Sequence, residues 1–226
     1  MSLPEGPEKA RTVRRMFDRI AGRYDLVNRV MTFGMDRGWR RKTVASLGLP
    51  RGARVVDLAC GTGDLCRELA GRGYRPVGID FSFGMLAAAR TDAPLAQADV
   101  LALPLSDASA GGATCGFALR NVVDLGGLFA ETARVVRSGG RIALLEVAEP
   151  SHPLLRLGHR FWFRGVVPVI GGLLSDRRAY AYLPRSTAYL PPHAEIVMML
   201  REAGFADAER RPLSGGIVQL FTGTRS

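Results

Sequence analysis

The segment VVDLACGTGDL at 55–65 constrains this chain more than any other. An apolar, β-rich run ends on Asp57, two glycines follow at Gly61 and Gly63, and a helix-compatible run opens near Asp64. A strand that turns through a glycine loop into a helix N-terminus is a ligand-binding unit, because glycine lets the backbone bend sharply and approach a bound molecule. The free N–H groups at the helix start favour a carboxylate. A dinucleotide site of this kind wants a third glycine for close helix–strand packing. Cys66 stands there instead, and Asp57 would oppose a pyrophosphate. S-adenosylmethionine has no phosphate and carries an amino group, a carboxylate and a sulfonium, so an acidic strand end beside an N–H-rich loop suits it.

Downstream of this loop, helical and strand-like runs alternate. Strands are expected at 53–58, 76–80, 94–98, 113–117 and 141–147, the last entered by a turn at Ser138-Gly139-Gly140, with helices at 64–70, 85–90 and 125–136. Such alternation predicts an α/β fold, Rossmann-like, with a mostly parallel sheet and helices on both faces. Before it lie an amphipathic helix at 8–20, a second helical stretch through Asn28 and Met31, and a third that Asp36 is expected to cap. After it, residues 152–190 mix apolar, aromatic and basic side chains without a clean period, a helix is expected at 194–203 and a last strand at 217–221. The expected organisation is one domain: an N-terminal helical cap over 1–50, a cofactor-binding core over 51–150, and a substrate lid with the final elements over 151–226.

Two further carboxylates strengthen the cofactor reading. Asp80 ends the second strand, where it can accept from both ribose hydroxyls, and Asp99 follows the third, where it can accept from the adenine amino group beside the Val100 backbone. Each of Asp57, Asp80 and Asp99 alone reads as an ordinary loop acid. Together, at the ends of successive strands, they outline a crevice.

The net charge of +10 suits an acidic partner, either nucleic acid or an anionic membrane surface, and equally suits an arginine-rich solvated exterior. Cys60, Cys66 and Cys115 have no metal-ligand or redox spacing, and the six-residue step from Cys60 to Cys66 is not one that faces two side chains on a helix. This usage fits a reducing cytoplasm. The N-terminus lacks the apolar core of a signal peptide, and the apolar stretch 161–174, broken by Arg164 and Pro168, is shorter than the roughly 20 residues of a membrane span. His152, His159 and His193 share no ligand-like cluster and read as surface histidines, so no metal is expected.

Several segments resemble the ubiquinone/menaquinone biosynthesis C-methyltransferases: FDRIAGRYDLVNRVMTFGMDRGWRR at 17–41, the glycine loop, GIDFSFGML at 78–86, FALRNV at 117–122, RVVRSGGRIALLEVAEP at 134–150, AYAYLPRS at 179–186 and LSGGIVQLFTG at 213–223. The glycine loop alone marks only class I methyltransferases; YDLVN, FALRNV and LSGGIV are more specific. The resemblance implies that Thr62, Asp80 and the pair Asp99–Val100 bind S-adenosylmethionine, and that Tyr24, Asp25, Asn28, Arg120 and Asn121 line the active site. It implies a polyprenylated quinol as methyl acceptor. The chain departs from the family pattern at Ala59-Cys60, at 108–112, where little is offered for packing and a loose strand is expected, and at Phe221, where relatives often carry His.

A hydroquinone carbon becomes nucleophilic as its ortho hydroxyl loses a proton, so the site needs alignment, a proton route and exclusion of water. Arg120 is a candidate for stabilising the phenolate or holding a relaying water, and a structural ion pair is the competing reading. Asp25 is a candidate general base, an orienter of Tyr24, or a helix cap. Asn121 is expected to position rather than react. The stretch 154–167 reads either as a groove for an isoprenoid tail with arginines facing anionic lipid, or as lid packing. A peripheral contact with the inner membrane face and a homo-oligomer are both compatible with the chain. The competing functions are a methyltransferase for another small molecule, a scaffold within a quinone-synthesis assembly, and a nucleic-acid methyltransferase. The last lacks the aromatic-proline motif of base-flipping enzymes, so no nucleic acid is expected.

Overall fold

Seven strands form one sheet: β1 (Arg54–Leu58), β2 (Arg75–Asp80), β3 (Leu95–Gln97), β4 (Ala110–Gly116), β5 (Val136–Val147), β6 (Glu209–Leu213) and β7 (Val218–Thr224). Their order across the sheet is 3-2-1-4-5-7-6. The first five pair in parallel, and β7 runs antiparallel to both β5 and β6. The computed structural model describes residues 6–226, and for Arg164, Arg177, Arg178, Ala181 and Leu183 the backbone alone. Residues 1–5 of the expected cap lie outside the described residues.

Strands covered on both faces read as continuous apolar runs, and β1 shows why. Val56 faces a core with Ile79, Leu128, Phe129, Ile196 and Phe221. Its neighbour Val55 faces the opposite core with Trp39, Val44, Leu65, Leu69 and Leu145. Helices α6 (Leu125–Val135) and α10 (His193–Glu202) supply the first layer, and α3 (Met35–Ser46) and α4 (Asp64–Gly71) the second. Phe221 is fully buried in the first core.

The remaining helices gather beyond the carboxyl ends of the strands. Helix α1 (Gly6–Ile20) and α2 (Tyr24–Met31) share a small core with α8 (Val167–Leu174) and α9 (Arg177–Ser186), built on Ile20, Val27, Ala179 and Tyr180. The missing period of 152–190 has a physical cause. Helix α7 (Pro153–Phe161) has no buried residue, and a π-helical turn at Trp162–Val166 shifts the phase before α8.

Five expectations are corrected. Asp36 does not cap α3: Gly34, at φ +74°, holds that position, and Asp36 is buried within the helix, paired with Arg40. The region 108–112 does not loosen the sheet, because β4 is buried from Ala110 to Cys115. Its small residues permit close approach; a Cβ on Gly112 would sit 2.6 Å from the Arg141 carbonyl oxygen and 2.8 Å from Leu49 Cδ1. The thiols of Cys60 and Cys66 do meet, since loop and helix fold them against Gly78, whose added Cβ would lie 2.8 and 3.1 Å from the two sulfurs. The helix expected at 85–90 is α5 (Phe83–Ala87), begun earlier by Ser82, whose Oγ accepts from Met85 N at 3.2 Å. Finally, the turn at 138–140 lies inside β5, as a register shift between the Ala110–Val136 and Gly112–Arg141 pairs.

Candidate active site

Two cavities open where the parallel strands end. The smaller, about 120 Å³, is lined by Gly61, Asp80, Asp99, Val100 and Asn121, with Ala10, Val13, Arg14 and Phe17 of α1 on its outer side. Asp80 holds the loop in place: its Oδ2 accepts from Gly61 N and its Oδ1 from Ser82 N, both at 2.8 Å. Burial pushes its carboxyl pKa up, against the pull of those N–H donors. Gly61 and Gly63 take φ values of +56° and +80°, where a side chain is strained. Asp99 accepts from Leu101 N at 3.0 Å.

Asp57, Thr62 and Gly63 do not line this cavity. Asp57 lies fully buried beneath the loop, where its carboxylate accepts from Thr114 Oγ1 at 2.7 Å and Cys66 Sγ at 3.5 Å. Burial pushes its pKa up to about 7. Gly63 packs against Thr91. The Thr62 hydroxyl donates to Asp25, a bond that ties the glycine loop to α2.

The larger cavity, about 460 Å³, is mostly apolar and aromatic, as small-molecule sites usually are. Phe33, Trp39, Phe117, Trp162 and Phe163 line it together with Leu154 and Leu155 of α7. Its polar residues include Tyr24, Asn28, Arg120 and His159. Tyr24 and Phe117 line both cavities and separate them. Burial raises the Tyr24 phenol pKa, and a hydrogen bond with the Asn28 side chain opposes this. Asn121 lines the smaller cavity, where its Oδ1 accepts from the Tyr182 hydroxyl at 3.4 Å.

Arg120 sits in the short turn after β4, buried, with its guanidinium paired to Glu146 of β5. It also donates to the Phe117 carbonyl oxygen at 2.8 Å and to Ser186 Oγ at 3.2 Å, while the Arg120 backbone N–H donates to Glu146 at 3.2 Å. The arginine is thus both an ion-pair partner and a wall of the larger cavity. Asp25 lines neither cavity, and α2 starts without a side-chain cap.

Sequence reasoning overlooked Glu146 and the cavity-facing side of α1, and its reading of His159 as a surface histidine is corrected, because that ring lines the larger cavity. Glu146 carried a signal, a lone acid within the apolar run IALLEV. Backbone strain marks the site too. Of the five non-glycine residues with positive φ, Ala59 and Phe117 line the smaller cavity, and Phe33, Phe117 and Ser214 the larger. Ser214 accepts from Trp39 Nε1 at 2.8 Å, which fastens the LSGGIV segment to α3. Among the described residues, no three His, Cys, Asp or Glu gather as a metal site.

Solved structures share this architecture. A methyltransferase of Thermotoga maritima, described as a possible histamine N-methyltransferase, superposes with a TM-score of 0.67 at 18% identity, covering 94% of this chain and 99% of that one. Phosphoethanolamine N-methyltransferase 2 of Haemonchus contortus, in complex with S-adenosyl-L-methionine, superposes with a TM-score of 0.62 at 14% identity, covering 82% and 52%. The fold is that of the Rossmann-like class I methyltransferases, and this protein is an S-adenosylmethionine-dependent methyltransferase. The profile of the ubiE/COQ5 methyltransferase family matches residues 6–225, and the chain belongs to that family. Its relatives include a demethylmenaquinone methyltransferase of Roseiflexus castenholzii, 43% identical over 99% of this chain and 97% of that one. A ubiquinone/menaquinone biosynthesis C-methyltransferase of Syntrophotalea carbinolica is 41% identical over 94% of each.

Proposed function

We propose that the protein methylates a ring carbon of a demethylmenaquinol-type, polyprenylated quinol. One observation carries this reading: a small cavity with two carboxylates and a larger aromatic one meet across Tyr24 and Phe117. Such a partition suits a polar methyl donor on one side and a flat, apolar acceptor on the other. The relatives' names point to the same chemistry.

When bound, S-adenosylmethionine supplies an activated methyl group on a sulfonium. In this reading Asp80 accepts from the ribose hydroxyls, Asp99 and the Val100 backbone meet the adenine, and Gly61 allows close approach of the loop. Asp57, Thr62 and Gly63 act from behind, fixing the loop through Thr114, Asp25 and Thr91. Arg120, neutralised in part by Glu146, stabilises the oxyanion that develops on the quinol. Tyr24 and Asn28 position the ring, and Asn121 supports the wall through Tyr182. Asp25 serves as an anchor for the glycine loop. The N-terminal helices act as a cap and 151–226 as a lid on a single domain.

A membrane surface completes the reading. Leu154, Leu157 and Phe161 of α7 are 75%, 69% and 72% exposed, and Leu173 of α8 is 79% exposed. No helix among the described residues is long and apolar enough to cross a membrane. These side chains rest in the lipid interface instead, beside the cavity that Leu154 lines, and the net positive charge favours anionic lipid.

The test is methyl transfer from labelled S-adenosylmethionine to a reduced demethylmenaquinone analogue. Ring-carbon methylation, abolished by Arg120→Ala, is the expected result. Tight cofactor binding without product would reject the quinol as acceptor.

A further inference from the structure

Replacing a ring hydrogen by methyl releases one proton, and no acid–base group has been assigned to take it. The larger cavity offers few choices. Asp36 is held there by its ion pair with Arg40, and Arg120 by Glu146. An arginine does not give up its proton, and a buried phenol such as Tyr24 already holds its own. His159 is the one remaining side chain of that wall with an ordinary pKa near neutrality.

His159 also stands at a boundary. It lines the larger cavity and, with Val147 and Phe163, a second cavity of about 260 Å³ behind it. Its ring stacks on Phe163 at 5.2 Å and 15°. Among the described residues, no hydrogen bond occupies either ring nitrogen. The outer cavity has a mixed lining, with Glu149, Arg160, His193, Arg210 and Gln219 as its charged and polar side chains. Glu149 follows β5 and pairs with Arg160 at 2.5 Å. Burial lowers the His159 pKa, and the Glu149 carboxylate opposes that shift. The imidazole therefore stays neutral near pH 7, with a lone pair to offer.

We propose that His159 accepts the proton lost from the methylated quinol and passes it to the outer cavity. This assignment rests on the quinol reading above. The ring hydroxyl releases its proton to water as the carbon attacks the methyl, and it regains one when the carbon–hydrogen bond breaks and that bond's electron pair restores aromaticity. The proton goes to an imidazole nitrogen, and from the resulting imidazolium to water or the Glu149 carboxylate in the outer cavity. The titratable and charged side chains facing His159 are Glu149 after β5, Arg160 on α7, His193 at the start of α10 and Arg210 on β6. From the larger cavity, Arg120 and the Asp36–Arg40 pair face it.

The experiment measures ring methylation against pH for the unaltered protein, His159→Gln and His159→Ala, with ring-protonated and ring-deuterated demethylmenaquinol analogues. Cofactor binding and thermal unfolding of each variant check that the fold is kept. The unaltered protein should lose kcat on the acid side with a midpoint below the ordinary histidine value of 6.5. His159→Gln should lower kcat about 100-fold with little change in KM, lose that acid limb and gain a deuterium isotope effect. Added imidazole should restore part of the His159→Ala rate. A His159→Gln enzyme that keeps both kcat and the acid limb overturns the assignment, as does a slow variant with an unchanged limb and no rescue. A failure of the quinol reading shows separately, as absence of ring methylation by the unaltered protein, and it removes this assignment too.

Discussion

Arg120 and Glu146 form a buried ion pair that spans from the turn after β4 to β5, and the same two residues meet a second time through the Arg120 backbone N–H. Removing one member leaves a buried charge without compensation. Glu146→Gln should destabilise the fold by about 3 kcal/mol, measured by chemical denaturation. It should also lower kcat, because the guanidinium is no longer held against the larger cavity. An unchanged midpoint would mean that water screens the pair.

Asp80 accepts from the glycine loop at Gly61 N with one oxygen and from Ser82 N, at the start of α5, with the other. Asp80→Ala should weaken S-adenosylmethionine binding by about 10- to 100-fold, the worth of one or two hydrogen bonds to a charged group. Titration calorimetry reads this directly. Equal affinity in the variant would move the ribose elsewhere.

The raised pKa of Asp57 makes a signed prediction. The folded protein holds that proton up to about pH 7, whereas an unfolded aspartate releases it near 3.8. Between those values the folded state binds more protons, so the stability linked to this group is fully present below the lower value and is lost as pH rises through the higher. Asp57→Asn should remove that slope. The difference in unfolding free energy between the two proteins should change by a few kcal/mol, on the order of three pKa steps, across this window. Parallel pH profiles would place the proton elsewhere.

Gly112 leaves no room for a methyl group between Leu49 and the Arg141 carbonyl. Gly112→Ala should cost about 1–3 kcal/mol through overpacking. Gly48→Ala has open space but a φ of +60°, so its cost should come from backbone strain alone. Thermal melts of the two variants distinguish these mechanisms only if Gly112→Ala also perturbs the β4–β5 ladder, which amide exchange detects.

Leu157→Asp combined with Phe161→Asp should abolish flotation with vesicles containing phosphatidylglycerol while leaving cofactor affinity unchanged. Binding by the unaltered protein should weaken as salt rises. Undiminished flotation of the double variant would place the lipid contact on another face.

The acidic side of the smaller cavity was legible because its residues are local in the chain. Strand end, glycine loop and the next acidic strand end are consecutive in the chain, so Gly61, Asp80, Asp99 and Val100 could be read from order alone. The larger cavity was not, since it joins residues more than a hundred positions apart, as Trp39 and Ser214 show. Arg120 and Tyr24 came from motif likeness, Glu146 from neither route, and His159 was read as a surface histidine because no partner stands near it in the chain. Asp25 shows the limit most clearly. Its position in YDLVN left a base, an orienter of Tyr24 and a helix cap open, and the structure shows a fourth contact, with Thr62, and no cap. β6 was hidden for a different reason: ERRPL at 209–213 is mostly solvent-facing on a sheet edge, so it carries no apolar signature.

The two cavities share a wall but not a cover. Helix α1 lies along the smaller one and α7 along the larger. On the proposed assignment, exchange of the spent donor would disturb a different helix from exchange of the lipid acceptor. Each reactant would then have its own door, so that one side could be reloaded while the other stays shut.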